Sequence, residues 1–178
     1  RAVFYLGTTF DNPLPPAFKE EVMATRRPVC WFKYNLWQIG GPTNAAFGKK
    51  YGFRFDGLDQ SGRDLVTYKG ESFGKNQLDR ELGGTKLLDP SIASVPAWAD
   101  HASTSPADIF PSPPIPYVVH GGNFWYVGDS PFSFIGEEDR YVVFADLLHD
   151  ILRMGHAATH RAIIRIEEVA PPASPATL

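Results

Sequence analysis

The chain of 178 residues is 43% hydrophobic and 13% aromatic, which is enough to bury a core of ordinary domain size and excludes a chain that is disordered throughout. Its net charge of -3, with no run of Lys or Arg longer than a pair, provides no electrostatic attraction for nucleic acid or for an anionic membrane. No apolar stretch approaches the roughly 20 residues that a transmembrane helix needs, so we expect a folded globular protein without a membrane span.

The first third of the sequence has the pattern of a parallel α/β unit. Residues 2–6 and 28–32 are continuous apolar runs, and between them Pro16 opens a helix that extends to about Thr25. Strands that are hydrophobic on both faces are typical of parallel sheets, in which the strand–helix–strand crossover is right-handed. We therefore expect residues 1–55 to form a partial α/β, Rossmann-like unit. Because its first strand starts at once, we also expect the natural amino terminus to lie further upstream.

The pattern of residues 56–116 predicts a loop-rich region with short strands. Gly, Pro, Asp and Ser residues separate brief apolar segments, of which 65–69 and 85–88 are the clearest after 53–55. The last part, 102–116, contains five prolines and is typical of an extended connector. We expect a domain seam near this connector.

Residues 117–160 predict a pair of strands followed by one amphipathic helix. Apolar runs at 117–119 and 124–127 flank a turn, and the helix begins near 137–139, where acidic side chains suit its amino end. One face of this helix carries the apolar residues Tyr141, Phe144, Leu147, Leu148, Ile151 and Leu152. We expect Gly155 to end it.

The predicted fold class is therefore α/β. It consists of a partial Rossmann/flavodoxin-like three-layer unit, a loop-rich region of small strands, and one long C-terminal helix followed by a strand at 161–166, which opens the last region, 161–178.

Two residue types raise the question of catalysis or metal binding. Cys30, the single cysteine, lies inside an apolar strand, whereas a nucleophile in this architecture sits at a sharp turn after a strand, so we interpret it as a buried thiol. His156 and His160 have the spacing of two metal ligands on one helix face, but Gly155 precedes them and ends the helix. We therefore predict surface histidines and no metal or other cofactor held by this chain.

Five residues are candidate contacts for a ligand. Asp11 and Asn12 lie in the loop after the first strand, which is where open α/β sheets bind ligands, although this loop lacks the glycines of a phosphate cradle. The other three candidates are at the predicted strand 124–127: Trp125 lies within it, and Asn123 and Asp129 lie just before and just after it. Trp125 is flanked by Phe and Tyr, and such aromatic rings either stack on sugars or pack in the core.

Several stretches together resemble a family of bacterial proteins classed with the NodB-like polysaccharide deacetylases (domain of unknown function 2334). The matching stretches are Tyr5–Pro15, Trp31 with Asn35–Gln38, Asn123–Ser133, Asp139–Leu152 and Arg161–Glu167. The resemblance implies a protein of several hundred residues, with an amino-terminal α/β domain and then a distorted (β/α) barrel. In the family, that barrel removes acetyl groups from amino sugars with a bound divalent, zinc-like metal.

The resemblance also assigns the end of the chain. It implies that residues 161–178 are the truncated start of the barrel, and that Glu167 and Glu168 occupy the place of the family's acidic pair, one member a base and the other a metal ligand. Glu168 departs from the Asp expected there. Export to the cell envelope or the medium is implied by analogy, because polysaccharide substrates lie outside the membrane.

Three functions stay open from the sequence. The first is a non-catalytic amino-terminal fragment of a deacetylase-like protein, which helps to position a polysaccharide or oligosaccharide and packs against the missing barrel of the same protein. The second is a part of a metal-dependent glycan N-deacetylase, to which the chain supplies Glu167 and Glu168. The third is a carbohydrate-binding module, which requires that Trp125 and Tyr126 be exposed.

Overall fold

A computed structural model describes residues 1–76, 78–102, 112–137 and 139–154 of the chain. Nine strands lie in these ranges: β1 (Val3–Gly7), β2 (Val29–Lys33), β3 (Phe53–Asp59), β4 (Leu65–Tyr68), β5 (Glu71–Gly74), β6 (Leu82–Leu87), β7 (Ala93–Asp100), β8 (Ile115–Gly121) and β9 (Phe124–Val127). The helices of the same ranges are α1 (Pro16–Ala24), α2 (Trp37–Gly40), α3 (Ala45–Tyr51) and α4 (Tyr141–Leu152). The predicted strand at 161–166, together with Glu167, Glu168, His156 and His160, lies outside the described residues.

The main sheet is mixed and has seven strands in the order β1-β2-β9-β8-β7-β4-β5. The neighbours β1, β2 and β9 are parallel, and every pairing from β9 to β5 is antiparallel. A second, two-stranded antiparallel sheet joins β3 to β6. The predicted α/β class is confirmed, but only one half of the sheet has the parallel pairing of a Rossmann-like unit. Strands from each of the ranges 1–55, 56–116 and 117–160 contribute to the main sheet.

The main sheet separates two hydrophobic clusters. On one face α4 packs over Phe32 and Val127, and on the opposite face α1, α2, α3 and the two-stranded sheet cover Trp31 and Phe124. Side chains that alternate along β2 and β9 therefore enter both clusters, which explains why residues 29–32 of β2 and all of β9 are hydrophobic or aromatic. Burial of each such large side chain stabilises the fold by about 1.5–3 kcal/mol.

Strand β1 differs from the expectation of a strand that is buried on both faces. It is an edge strand, and Phe4 and Leu6 remain 39% and 53% exposed on the face that carries α4. Helix α4 packs over the neighbouring strands β2 and β9 and leaves these two side chains uncovered.

Helix α4 confirms the predicted amphipathic helix, but it begins at Tyr141 and not near 137–139, and it also differs at its end. Val143, Phe144, Leu147 and Ile151 are buried, and Leu148 is only partly buried against the same cluster. The helix ends at Leu152 because Arg153 adopts a left-handed conformation (φ 53°) and its N–H bonds back to the carbonyls of Asp150 and His149. The expected stop at Gly155 is therefore two residues too late, since a non-glycine residue makes the left-handed cap.

The described residues contain no helix long and apolar enough to cross a membrane.

Candidate functional site

The carboxyl ends of the three parallel strands meet at one edge of the sheet, which is the place where open α/β sheets bind ligands. Asp11 and Asn12 follow β1, Asn35 follows β2, and Asp129 follows β9. The structure thus brings three of the five predicted contacts, Asp11, Asn12 and Asp129, to the same edge of the sheet.

Side chains of the second loop pin the first loop in place. The Asn35 amide donates to the Tyr5 hydroxyl (2.8 Å) and to the Thr9 carbonyl (3.0 Å). The Gln38 amide donates to the Asn12 carbonyl (2.8 Å), and its oxygen accepts from the Leu14 N–H (2.9 Å). These bonds span more than 20 residues of sequence, so they fix the geometry of a loop that has no regular secondary structure of its own.

The two predicted contacts in this first loop are exposed, but one of them has a partner. The Trp37 indole N–H donates to Asp11 Oδ1 (3.1 Å), and Asp11 itself is held at a left-handed φ of 51°. Asp and Asn tolerate this conformation better than most residues, which suits an exposed loop residue. At Asn12 the main-chain carbonyl, not the side chain, carries the described bond.

A buried ionic network lies below the third loop. The Asp129 carboxylate accepts from the Tyr117 hydroxyl and from Arg140 Nε, each at 2.5 Å, and Arg140 Nη1 donates to Asp139 Oδ1 at 2.7 Å. Asp129 and Arg140 are both 0% exposed. Burial opposes the charge of Arg140, but the Asp129 carboxylate outweighs it and raises the pKa of the guanidinium further. Burial, with the negative charge of Asp129, raises the pKa of Tyr117 well above its ordinary value.

Two buried lysines extend this network. Lys33 Nζ pairs with Asp79 Oδ1 at 2.6 Å, and Lys75 Nζ donates to the main-chain carbonyl of the same Asp79. Burial lowers the pKa of Lys75, and the carboxylates of Asp129 and Asp79 act against that shift. A lysine with a lowered pKa can act as a general base. Lys75, however, is only 3% exposed, and its amine already donates to the Asp79 carbonyl. The lysines, Arg140 and the three aspartates therefore balance one another's charge inside the protein.

Cys30 does not belong to this edge. It lies in the middle of β2 with 0% exposure, and burial raises the pKa of its thiol far above the ordinary value. Such a thiol is protonated and shielded, so the interpretation of a buried structural cysteine is confirmed.

The remaining two predicted contacts, Asn123 and Trp125, lie towards the opposite edge, where β9 begins. The Asn123 amide donates to the carbonyls of Arg27 (2.6 Å) and Thr25 (3.2 Å), and so ties the β8–β9 turn to the end of α1. Trp125 is 6% exposed and stacks against His120, with 3.9 Å between the ring centroids.

The burial of two aromatic rings bears on the carbohydrate-binding interpretation. Only 6% of the surface of Trp125 and none of that of Tyr126 is exposed. Strand β9 lies between β2 and β8, and both of its faces are covered. A sugar ring needs an accessible aromatic face. These two residues therefore do not form a sugar-binding surface.

A groove of about 590 Å³ lies beside His120 and is also lined by Trp125, His149 and Asp150. Burial lowers the pKa of His120, whose Nε2 lies 3.1 Å from the Gly122 carbonyl.

In the ranges that the structure describes, no three His, Cys, Asp or Glu side chains are grouped to hold a metal ion. Whether a longer parent protein binds a divalent metal stays a prediction.

The residues that dominate the carboxyl edge could not be predicted from local sequence pattern. Lys33, Lys75 and Arg140 are buried cations, and cations are usually expected on a solvated surface. Asn35 is the exception. An Asn shortly after a buried strand is a sequence signal for a turn, because Asn is among the few residues that adopt a left-handed conformation readily. Asn35 does adopt that conformation, with a φ of 71°.

No protein-family model matches the chain, and no curated protein matches it. Among solved structures, the fold is similar to that of a catalytic mutant of a GH42 beta-galactosidase from G. stearothermophilus. The TM-score is 0.50 and the identity 14%, over 79% of this chain and 20% of that chain. Another GH42 beta-galactosidase structure gives a TM-score of 0.46 at 16% identity, over 76% of this chain and 19% of that chain.

An exo-beta-1,4-mannosidase from Opitutaceae bacterium strain TAV5 gives a TM-score of 0.42 at 11% identity, over 85% of this chain and 23% of that chain. The chain thus spans about a fifth of the length of the structures that it matches. At such identities the likeness to the galactosidase mutant is a likeness of fold alone.

The predicted resemblance to NodB-like polysaccharide deacetylases is wrong. The solved structure whose fold this chain shares is a beta-galactosidase, and no family model supports the deacetylase assignment. Many of the stretches that carried the resemblance have a structural explanation instead. Tyr5, Asn35, Asn123 and Asp129 form the hydrogen bonds that pin loops at the two edges of the sheet.

Proposed function

We propose that this chain is a non-catalytic α/β domain of a larger glycan-active hydrolase of the glycoside hydrolase kind. The fold supports this proposal, because a GH42 beta-galactosidase contains a similar unit in about a fifth of its own length. The parallel half of the sheet, in which α1 crosses between β1 and β2, is the part that we interpret as a partial Rossmann-like or flavodoxin-like unit.

The observation that carries the proposal is the state of the polar groups at the carboxyl edge. A catalytic centre needs an acid, base or nucleophile that a substrate can reach. Here Asp129 and Arg140 are 0% exposed and bonded to each other, and Lys33 is paired with Asp79. These bonds stabilise the loops, so the edge has the character of a structural network.

We further propose that the domain acts on glycans through the rest of the same protein, by packing against its catalytic part and by helping to position the polysaccharide. Among the described residues β1 has a strand partner on one side only, so its other side offers backbone groups for such packing, next to the exposed side chains of Phe4 and Leu6. Glu167 and Glu168 stay predictions that the described residues do not include.

The proposal is tested in the full-length protein that contains this chain. Hydrolysis of p-nitrophenyl β-galactoside and β-mannoside is measured for the natural protein and for two variants, Asp129→Asn and Lys75→Met, at a temperature where urea titration shows all three to be folded. We expect glycoside hydrolysis with kcat unchanged in both variants, because neither side chain reaches the substrate.

Two results would contradict the proposal. A folded Asp129→Asn variant that loses kcat by about a hundredfold or more, the size of effect expected for a general acid or base, would make this edge a catalytic site. If the full-length protein hydrolyses neither glycoside, the proposal that the chain belongs to a glycoside hydrolase is contradicted.

A further inference from the structure

The half of the main sheet formed by β4, β7 and the start of β8 has one open face. Val66, Tyr68, Ala97 and Ala99 point into the cluster beneath α4. Because successive side chains in a strand point to opposite faces, Thr67 and Trp98, which are paired in the ladder, point to the other face. On that other face, Ala93 and Val95 of β7 pack against the second hydrophobic cluster. Trp98, further along the same strand, remains exposed.

Trp98 is the most exposed tryptophan among the described residues, with 41% of its surface accessible. It lies at a register shift between β7 and β8, where Ala97 pairs with Val118 and Trp98 with Pro116. Such bulges change the direction of a side chain and are common beside functional sites. The exposure of so large a ring in the interior of a sheet calls for a reason, since its burial elsewhere in the core would stabilise the fold.

A pocket of about 410 Å³ adjoins this ring and is lined, among the described residues, by Thr67, Trp98, Asp100 and Pro114. Its volume lies within the range of about 300–1,000 Å³ that is usual for small-ligand sites. Asp100 follows Trp98 by two positions, so both side chains belong to the same face of β7.

Three polar groups around the pocket have hydrogen-bonding capacity to spare. Asp100 Oδ1 accepts from the His101 N–H at 2.8 Å and lies 3.9 Å from Arg63 Nη1, which leaves Oδ2 as an acceptor. In the part of the chain that the structure describes, neither the Thr67 hydroxyl nor the Trp98 indole N–H has a hydrogen-bond partner. The pocket therefore combines an aromatic face with one carboxylate acceptor, one hydroxyl and one N–H donor.

We propose that this surface, formed by Thr67, Trp98 and Asp100, binds one pyranose ring of a neutral polysaccharide chain. A pyranose has an apolar C–H face that stacks on an aromatic ring, and hydroxyls at its rim that pair with a carboxylate and a hydroxyl. The choice of a polysaccharide as the ligand rests on the proposed function. The surface would be the part of the domain that positions the glycan.

The charges beside the pocket favour a neutral sugar over an acidic one. Asp100 is a carboxylate, and the nearest described cation, Arg63, is 2% exposed and directed at Asp59 and the Ala99 carbonyl as well. A uronic acid would bring its own carboxylate beside Asp100, and the described cation near that residue, Arg63, is buried and already engaged. An uncharged hexose avoids this cost.

The test measures binding to the purified chain directly. Manno-oligosaccharides with β-1,4 links and β-linked galacto-oligosaccharides are titrated by calorimetry, with an oligogalacturonate as the charged comparison. In parallel, acrylamide quenching of tryptophan fluorescence is compared between the natural chain and Trp98→Phe. The difference reports access to Trp98, because Trp31 and Trp125 are buried and the partly exposed Trp37 is common to both proteins. We expect weak binding of a neutral oligosaccharide, none of the oligogalacturonate, and reduced quenching when the sugar is bound.

Variants locate the site. Trp98→Ala is expected to raise Kd about tenfold or more, because it removes the stacking face, and Trp98→Phe to raise it less. Thr67→Val keeps the shape but removes the hydroxyl, and is expected to raise Kd a few-fold. Phe4→Ala is the matched control: Phe4 is an aromatic strand residue of similar exposure, 39%, at the other end of the sheet, and its removal is expected to leave Kd unchanged.

The proposal is overturned if no neutral oligosaccharide binds the folded natural chain, or if Trp98→Ala and Trp98→Phe both bind as well as the natural chain does. If Trp98→Ala fails to fold, Trp98→Phe and the quenching of the natural chain decide the result. Because binding is measured on this chain alone, its outcome is independent of glycoside hydrolysis by the full-length protein, so the two proposals fail separately.

Discussion

The buried pair of Asp129 and Arg140 allows a quantitative test of the structural role of the carboxyl edge. Asp129→Asn keeps the shape of the side chain but removes the charge that Arg140 Nε meets at 2.5 Å, in a pair with no exposure of either side chain. Removal of one partner from a buried pair costs about 3–5 kcal/mol. Arg140 retains its bonds to Asp139 and to the Ser130 and Ser133 carbonyls, so we expect the lower end, about 3 kcal/mol.

This loss is measured by urea titration followed by tryptophan fluorescence, and by thermal unfolding. For a chain of this length, about 3 kcal/mol corresponds to a fall in Tm of about 6–12 °C. Asp146→Asn is the matched control, because Asp146 pairs with Lys69 at 2.6 Å on the surface, with side-chain exposures of 52% and 67%. We expect that change to cost at most about 1 kcal/mol. Equal losses for the two variants would refute the reasoning that burial makes the Asp129 pair structural.

Three further predictions concern the core and the surface. Leu147→Ala, at a residue with 3% exposure under α4, is expected to cost about 2–5 kcal/mol in urea titration, and an unchanged midpoint would show that α4 is not docked. Cys30 is expected to react with a thiol reagent only as fast as the chain unfolds, and rapid labelling of the folded protein would be inconsistent with its burial and raised pKa. Hydrogen bonds from Lys69 and Tyr68 lower the pKa of Asp146, so this contact adds stability above the unfolded-state pKa of Asp and loses it as the pH falls through the lower folded-state value. Stability of Asp146→Asn should therefore fall less steeply in acid, and parallel acid curves for the two proteins would contradict this.

The elements that could be predicted are those whose pattern is local. Helix α1 begins at Pro16 as its sequence indicates. Residues 29–32 of β2 and all of β9 are hydrophobic or aromatic because both faces of these strands are covered. Strand β7 was missed, because Pro96 and several small residues interrupt its alternation, and its place in the sheet depends on partners far along the chain.

The candidate site was harder to predict because exposure depends on tertiary neighbours. Trp125 was a plausible sugar contact from composition, but the position of β9 in the middle of the sheet buries it. Trp98 has the opposite fate, since the cover on its face stops short of it. Arg140 directly precedes an amphipathic helix, and arginines are usually exposed to solvent. Here Arg140 is 0% exposed because Asp129, 11 residues earlier, supplies a buried counter-charge.

The most direct test of the central claim is the kcat of the full-length protein on p-nitrophenyl β-galactoside and β-mannoside, compared for the natural sequence and for Asp129→Asn under conditions where both are folded. Equal kcat, together with the lower urea midpoint of the variant, is the result that we expect from a non-catalytic domain with a structural ionic network. A folded variant with kcat reduced by about a hundredfold or more would contradict it, because such a loss is the signature of a group that takes part in proton transfer.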